Sequence, residues 1–187
     1  MSKIEKLYQL KKTIFSINDL RIIWEEQSPD ALKSSAKYFV DTGKLHRLRR
    51  GIFALNKAYN TFELANKLIT PSYISLETAL QKHGIIFQFS SDINSMAEYS
   101  RTIDINKQIY KYHAVKSDIL INPLGIVNEM NATMASPERA ICDFVYLYGP
   151  SYFDNLRGLD KKLILKISKI YGKKSVEKII IKLIEDL

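Results

Sequence analysis

The alternation of apolar and polar positions divides the chain into a helical front, a β-rich middle and a helical end. Through the first forty residues the apolar positions recur at helical spacing. Ile4, Leu7, Tyr8 and Leu10 predict a short first helix. Ile17, Leu20, Ile23 and Trp24 predict a second, opened by a capping-box-like Ser16 and Asp19 and running to about Gln27. Leu32, Ala36, Phe39 and Val40 predict a third. Ser28 is its N-cap, Pro29 sits where a missing N–H costs nothing, and Gly43 stops it. Only Ser28-Pro29 separates the second helix from the third. Leu45–Leu48 and Ile52–Leu55 then form two short apolar segments around Arg49-Arg50-Gly51, the pattern of a β-hairpin with a cationic tip.

Beyond the hairpin, Asn56, Asn60 and Pro71 punctuate a connector with a short helix of its own over Phe62–Ile69. SYISLETALQKHG, residues 72–84, predicts a helix that Ser75 can cap, with Leu76, Ala79 and Leu80 on one face. From Ser95 to Met134 the pattern becomes β-like. Met96–Ile105, Gln108–Val115, Ile119–Ile121 and Ile126–Met130 are strand candidates, and Asn122-Pro123-Leu124-Gly125 is a turn. Ser136-Pro137-Glu138 opens another helix, with Ile141, Phe144, Val145 and Tyr148 as its core stripe, Cys142 and Asp143 beside it, and Gly149-Pro150 at its end. Leu159–Tyr171 and Ser175–Leu187 close the chain as two helices. The expected fold class is α+β: an N-terminal winged helix-turn-helix over residues 1–60, followed by a mixed α/β domain over 61–187 that ends in helices.

Charge adds direction to this picture. The 187 residues carry a net charge of +8, and residues 1–60 hold 12 Lys and Arg against 6 Asp and Glu, whereas residues 61–187 hold 16 against 14. A basic head on a nearly neutral body suggests a polyanion-binding module joined to a domain of another kind. No apolar run is long enough to predict a membrane span. The N-terminal stretch has scattered charges and no signal-peptide core. Cys142 is the single cysteine, so no internal disulfide is expected and a reducing cytoplasm is the natural compartment.

If the head binds duplex DNA, the third helix enters the major groove. Ser34, Lys37 and Tyr38 would reach base edges and Lys33 the phosphates. Lys44, Arg47, Arg49 and Arg50 would lie over phosphates, the hairpin arginines also being able to reach the minor groove. His46, His83 and His113 are too scattered in sequence for a metal site, and Cys142 sits in an apolar helix with no His or Asp at a nucleophile's spacing. No phosphate-binding glycine loop is present, so no cofactor, metal or catalytic residue is expected. Two alternatives stay open. One is a metal-dependent nuclease using Glu98, Asp104 and Lys107, although Asp104-Ile105-Asn106-Lys107 is one residue longer than the acid-x-Lys triplet such sites use. The other is a winged helix used only for protein contact.

Three stretches resemble the AbiEi family, the antitoxins and transcriptional regulators of type IV, abortive-infection toxin–antitoxin systems. They are LHRLRRGIFAL at the end of the predicted winged helix, PSYISLETALQKHGII (71–86) and MASPERAICDFVYLYG (134–149). The resemblance implies a winged helix that binds repeats in the operon's own promoter and represses it. It also implies a C-terminal domain required for antitoxin action against a neighbouring nucleotidyltransferase-like toxin, counteracted without a stable complex.

Overall fold

A computed structural model describes residues 2–185 and is of the mixed α+β class. It divides into two compact units, Met1–Leu68 and Ile69–Leu187. The first runs α1 (Lys3–Tyr8), β1 (Ile14–Ser16), α2 (Ile17–Ile23), α3 (Pro29–Asp41), β2 (His46–Arg49), β3 (Ile52–Ala54) and α4 (Thr61–Leu68). Its core gathers Leu7, Phe15, Leu20, Trp24, Phe39 and Phe53 from the helices and the sheet.

The caps explain why the helices start where they do. Ser16 and Asp19 form a complete capping box, and the Ser28 side chain accepts from the Ala31 N–H. The second helix, however, ends at Ile23 rather than near Gln27, so Trp24–Ser28 and not Ser28-Pro29 alone join α2 to α3. Trp24 is drawn into the core, its indole N–H donating to the Lys3 carbonyl (2.8 Å) and its ring lying 5.5 Å from that of Phe39. Glu25 then turns through a left-handed φ of 56°.

β2 and β3 form the expected hairpin, with Arg50-Gly51 at its tip and an irregularity in register between Arg47 and Arg49. A third strand, β1, has no counterpart in the sequence reading. It pairs antiparallel with β3, giving the order β1-β3-β2. The connector helix α4 belongs with this unit, so the division falls after it and not near residue 60. The buried Glu63 carboxylate accepts from both the backbone N–H (2.9 Å) and the hydroxyl (2.8 Å) of Thr13, which holds α4 beside β1.

The second unit is a six-stranded mixed sheet in the order β6-β7-β5-β4-β9-β8, packed with helices. Its elements are β4 (Ser72–Ile74), α5 (Leu76–Lys82), β5 (Ile93–Ala97), β6 (Arg101–Ile105), β7 (Gln108–Ala114), α6 (Ser117–Leu120), β8 (Ile126–Glu129), β9 (Ala132–Ala135), α7 (Pro137–Tyr148), α8 (Lys161–Lys169) and α9 (Lys174–Glu185). Four differences from the sequence reading have physical causes. Residues 72–74 are a strand, and α5 begins at Leu76, because the Ser75 hydroxyl donates to Asp143 (2.7 Å) and does not cap. The single strand expected over Met96–Ile105 breaks at Glu98–Ser100 into β5 and β6, whose common neighbour is β7. Ile119–Ile121, expected as a strand, lies largely in the short helix α6, which buries Ile119 and Leu120. In α7 the expected stripe is only half right. Ile141 and Val145 are buried, but Tyr148 is exposed, while Glu138, Arg139 and Asp143 are buried. The final helix forms as expected, its last two positions lying outside the described residues.

Candidate nucleic-acid interface

In the first unit α3 is amphipathic. Leu32, Ala36 and Phe39 enter the core, while Lys33, Ser34, Lys37 and Tyr38 are exposed on the opposite side. At the pitch of an α-helix these four span an arc of roughly 140°. Tyr38 is 58% exposed although its ring packs edge-on against Phe39 at 5.4 Å, so it stands out from the helix on an apolar footing. Two acids temper the lysines: Lys33 pairs with Asp30 (3.4 Å) and Lys37 with Asp41 (3.2 Å). Exposed pairs of this kind hold by about 0–1 kcal/mol and yield readily to a competing anion.

The hairpin supplies the remaining cations. Arg47, Arg49 and Arg50 are exposed, as is Lys44 in the turn before β2, and among the described residues none of the four is in an ion pair. The tip is fixed at its base, since the Ile17 N–H donates to the Gly51 carbonyl (2.8 Å). Gly51 has φ +76°, a conformation that only glycine adopts without strain. Between α3 and the hairpin lies an open cleft of about 530 Å³. Its floor is Ile17, Ala36, Val40 and Phe53, and Lys33, Lys37, Arg47 and Arg50 stand around it with one acid, Asp41. A concave surface with an apolar floor and cationic walls is suited to a polyanionic backbone.

The alternative nuclease residues fall in different places. Asp104 is near the end of β6, where its carboxylate accepts the Lys107 N–H (3.0 Å) and shapes the β6–β7 turn. Asn106 and Lys107 both have left-handed φ values there. Glu98 precedes the other end of β6 and accepts from the Ser117 hydroxyl (3.4 Å). Among the described residues no group of three or more His, Cys, Asp or Glu could hold a metal ion. His83 meets the Ala135 carbonyl (3.0 Å), and His113 lies between Asn94 Oδ1 (2.9 Å) and the Tyr148 hydroxyl (3.4 Å). Burial pushes the His113 imidazole below its ordinary pKa, with the charge of Glu77 opposing and that of Lys111 assisting. Cys142 is buried, and burial raises its thiol pKa, the reverse of what a nucleophile needs.

Sequence reasoning missed a polar centre inside the second unit. Arg139 and Asp143, one turn apart on α7, are both fully buried, with Arg139 Nε 3.6 Å from the carboxylate. The guanidinium donates to the Ile119 carbonyl (2.7 Å), the Leu124 carbonyl (3.0 Å) and the Tyr73 hydroxyl (3.0 Å). Asp143 accepts from Tyr73 (3.0 Å), Ser75 (2.7 Å) and Tyr171 (2.7 Å). Burial drives the Asp143 carboxyl upward from its usual range, against the pull of Arg139 and the three hydroxyls. The readable signal was the i,i+4 Arg–Asp spacing within an otherwise apolar helix.

No helix among the described residues is long and apolar enough to cross a membrane. No protein-family model matches the chain, and no curated protein matches it.

Proposed function

We propose that the first unit is a winged helix-turn-helix that binds duplex DNA, with α3 in the major groove and the β2–β3 hairpin as the wing. One observation carries this reading: α3 and the hairpin turn Lys33, Lys37, Arg47 and Arg50 toward a single cleft, with Ser34 and Tyr38 exposed on the same helix. Ser34, Lys37 and Tyr38 are assigned to base edges. Lys33, Lys44, Arg47, Arg49 and Arg50 are assigned to the sugar–phosphate backbone. The resemblance of residues 71–86 and 134–149 to AbiEi antitoxins extends the proposal. In that reading the protein is a non-enzymatic repressor that binds repeats in its own promoter, and the second unit counteracts a nucleotidyltransferase-like toxin without a stable complex.

The test is an anisotropy titration of the full chain against its own upstream DNA and against unrelated duplex. Arg47/Arg49/Arg50→Ala should weaken both alike, and Ser34/Lys37/Tyr38→Ala should narrow the difference between them. Sequence-blind binding, or binding indifferent to both variants, overturns the proposal. A neighbouring reading frame of the nucleotidyltransferase type would support its antitoxin half.

A further inference from the structure

The near-neutrality of residues 61–187 averages two unlike stretches. Residues 61–159 hold eight Lys and Arg against ten Asp and Glu, whereas residues 160–187 hold eight lysines against four acids. Those lysines belong to α8, α9 and the turn between them, and all eight are exposed. Among the described residues none of them forms an ion pair. Lys161 donates to the Ile184 carbonyl (3.3 Å), and Lys173 lies 4.1 Å over the Tyr146 ring. The other six project from two helix faces. Lys162, Lys166 and Lys169 share one side of α8, and Lys174, Lys178 and Lys182 recur at every fourth residue of α9. The opposite sides are anchored, with Ile164 and Ile167 of α8 and Val176 and Ile180 of α9 buried. Glu177 and Glu185 are the acids of these two helices.

We propose that the α8–α9 face is a second, sequence-blind binding surface for the backbone of duplex nucleic acid. The choice of partner follows from what the face has and lacks. Apart from Ile181, which is 42% exposed beside the α9 lysines, its apolar side chains are buried or partly buried in the fold, so its hydrophobic side is too small to insert into a lipid interface. Neither helix exposes an aromatic ring on which unpaired bases could stack: Tyr171 is buried against Asp143, and the half-buried Tyr146 ring is covered by Lys173. Its cations are all lysine, point charges suited to phosphate and not to the forked, bidentate recognition of base edges. The α9 lysines advance about 6 Å per step along the helix. That is close to the rise of two nucleotides in one strand of a duplex, about 6.8 Å. The inference stands on these residues and does not depend on the assignment of the first unit.

Four forms of the full chain separate the two proposals: the natural sequence, Arg47/Arg49/Arg50→Ala, Lys174/Lys178/Lys182→Gln, and both triples combined. Each is titrated from 50 to 200 mM salt with an unrelated 30-base-pair duplex and with the protein's own upstream DNA, and, for comparison, with single-stranded RNA and phosphatidylserine vesicles. Losing three phosphate contacts should flatten the slope of log K against log salt by about 2.7 units. The lysine triple should show this flattening by itself and again in the arginine-triple background. It should weaken every duplex by the same factor, with the ratio of own to unrelated DNA unchanged, and an arginine-for-lysine triple should retain binding. An unchanged slope in the lysine triple, with its thermal melt preserved, overturns the inference. So does a loss confined to single-stranded RNA or to phosphatidylserine vesicles. A lysine effect without an arginine effect sinks the proposed role of the first unit and leaves this one standing; the reverse result does the opposite.

Discussion

Replacing Arg139 with Met keeps the aliphatic stem in place and removes the guanidinium. The structure indicates what that leaves behind. The Leu124 carbonyl loses its donor, the Ile119 carbonyl is left with backbone donors such as the Asn122 N–H (3.2 Å), and Asp143 faces only hydroxyls in a site closed to water. Stranding one partner of a buried ion pair costs about 3–5 kcal/mol. A domain of ordinary stability holds about 5–15 kcal/mol in total, so the variant should sit near the edge of folding. The assay is urea and thermal unfolding followed by circular dichroism. Two secondary results are diagnostic. Arg139→Met/Asp143→Asn should be more stable than Arg139→Met, because the uncompensated carboxylate is gone. The deficit of Arg139→Met should also shrink as pH is lowered. Burial already holds the folded carboxyl above its unfolded value, and without the guanidinium that gap widens. The folded state then binds a proton that the unfolded chain does not, which stabilises it below the folded pKa. A loss below about 1 kcal/mol, or a double variant no better than the single, would refute the argument that this pair organises the unit.

Other outcomes follow from single positions. At Gly125, φ is +74° and an added Cβ would lie 2.7 Å from Ile167 Cδ1 and 2.9 Å from Arg139 Cβ, so Gly125→Ala should lower the free energy of unfolding by about 2 kcal/mol or more. Lys107→Gly should stabilise by up to about 1 kcal/mol in the same assay, because Lys107 holds φ +68° in the β6–β7 turn, which costs an L residue about 1–2 kcal/mol, while the extra chain entropy of glycine gives back about 0.5–1. His113 should titrate below its ordinary value by NMR. Because its folded pKa is depressed, the linked stability is complete above the unfolded pKa and is lost as pH falls through the folded one; a midpoint at or above 6.5 would contradict it.

The helical elements of the first unit were legible because their signals are local. Ser16, Ser28, Pro29 and Gly43 act within a turn of the backbone they govern, and the apolar spacing of α3 is set by its own period. β1 was not legible, since three residues carry no periodicity and Ile14–Ser16 become a strand only against β3. The end of α2 was decided by Trp24 finding the Lys3 carbonyl, a tertiary event. In the second unit Ser75 read as a cap because nothing local shows that Asp143, far along the chain, takes its hydroxyl. The exposed side chains of α3 and the hairpin were named from pattern alone. The α8–α9 lysines were visible as composition, but their alignment along each helix, opposite its buried residues, needed the bounds of the helices that carry them.

The Tyr171 hydroxyl reaches the Asp143 carboxylate from just beyond the end of α8. A stop codon before that tyrosine would therefore do more than shorten the protein. It would leave a buried acid one donor short and remove a side chain that closes over it. The chain as far as the end of α8 is thus insured against loss by the chemistry at the centre of the sheet unit. A truncated product should be cleared as a misfolded chain and should not persist as a smaller working one.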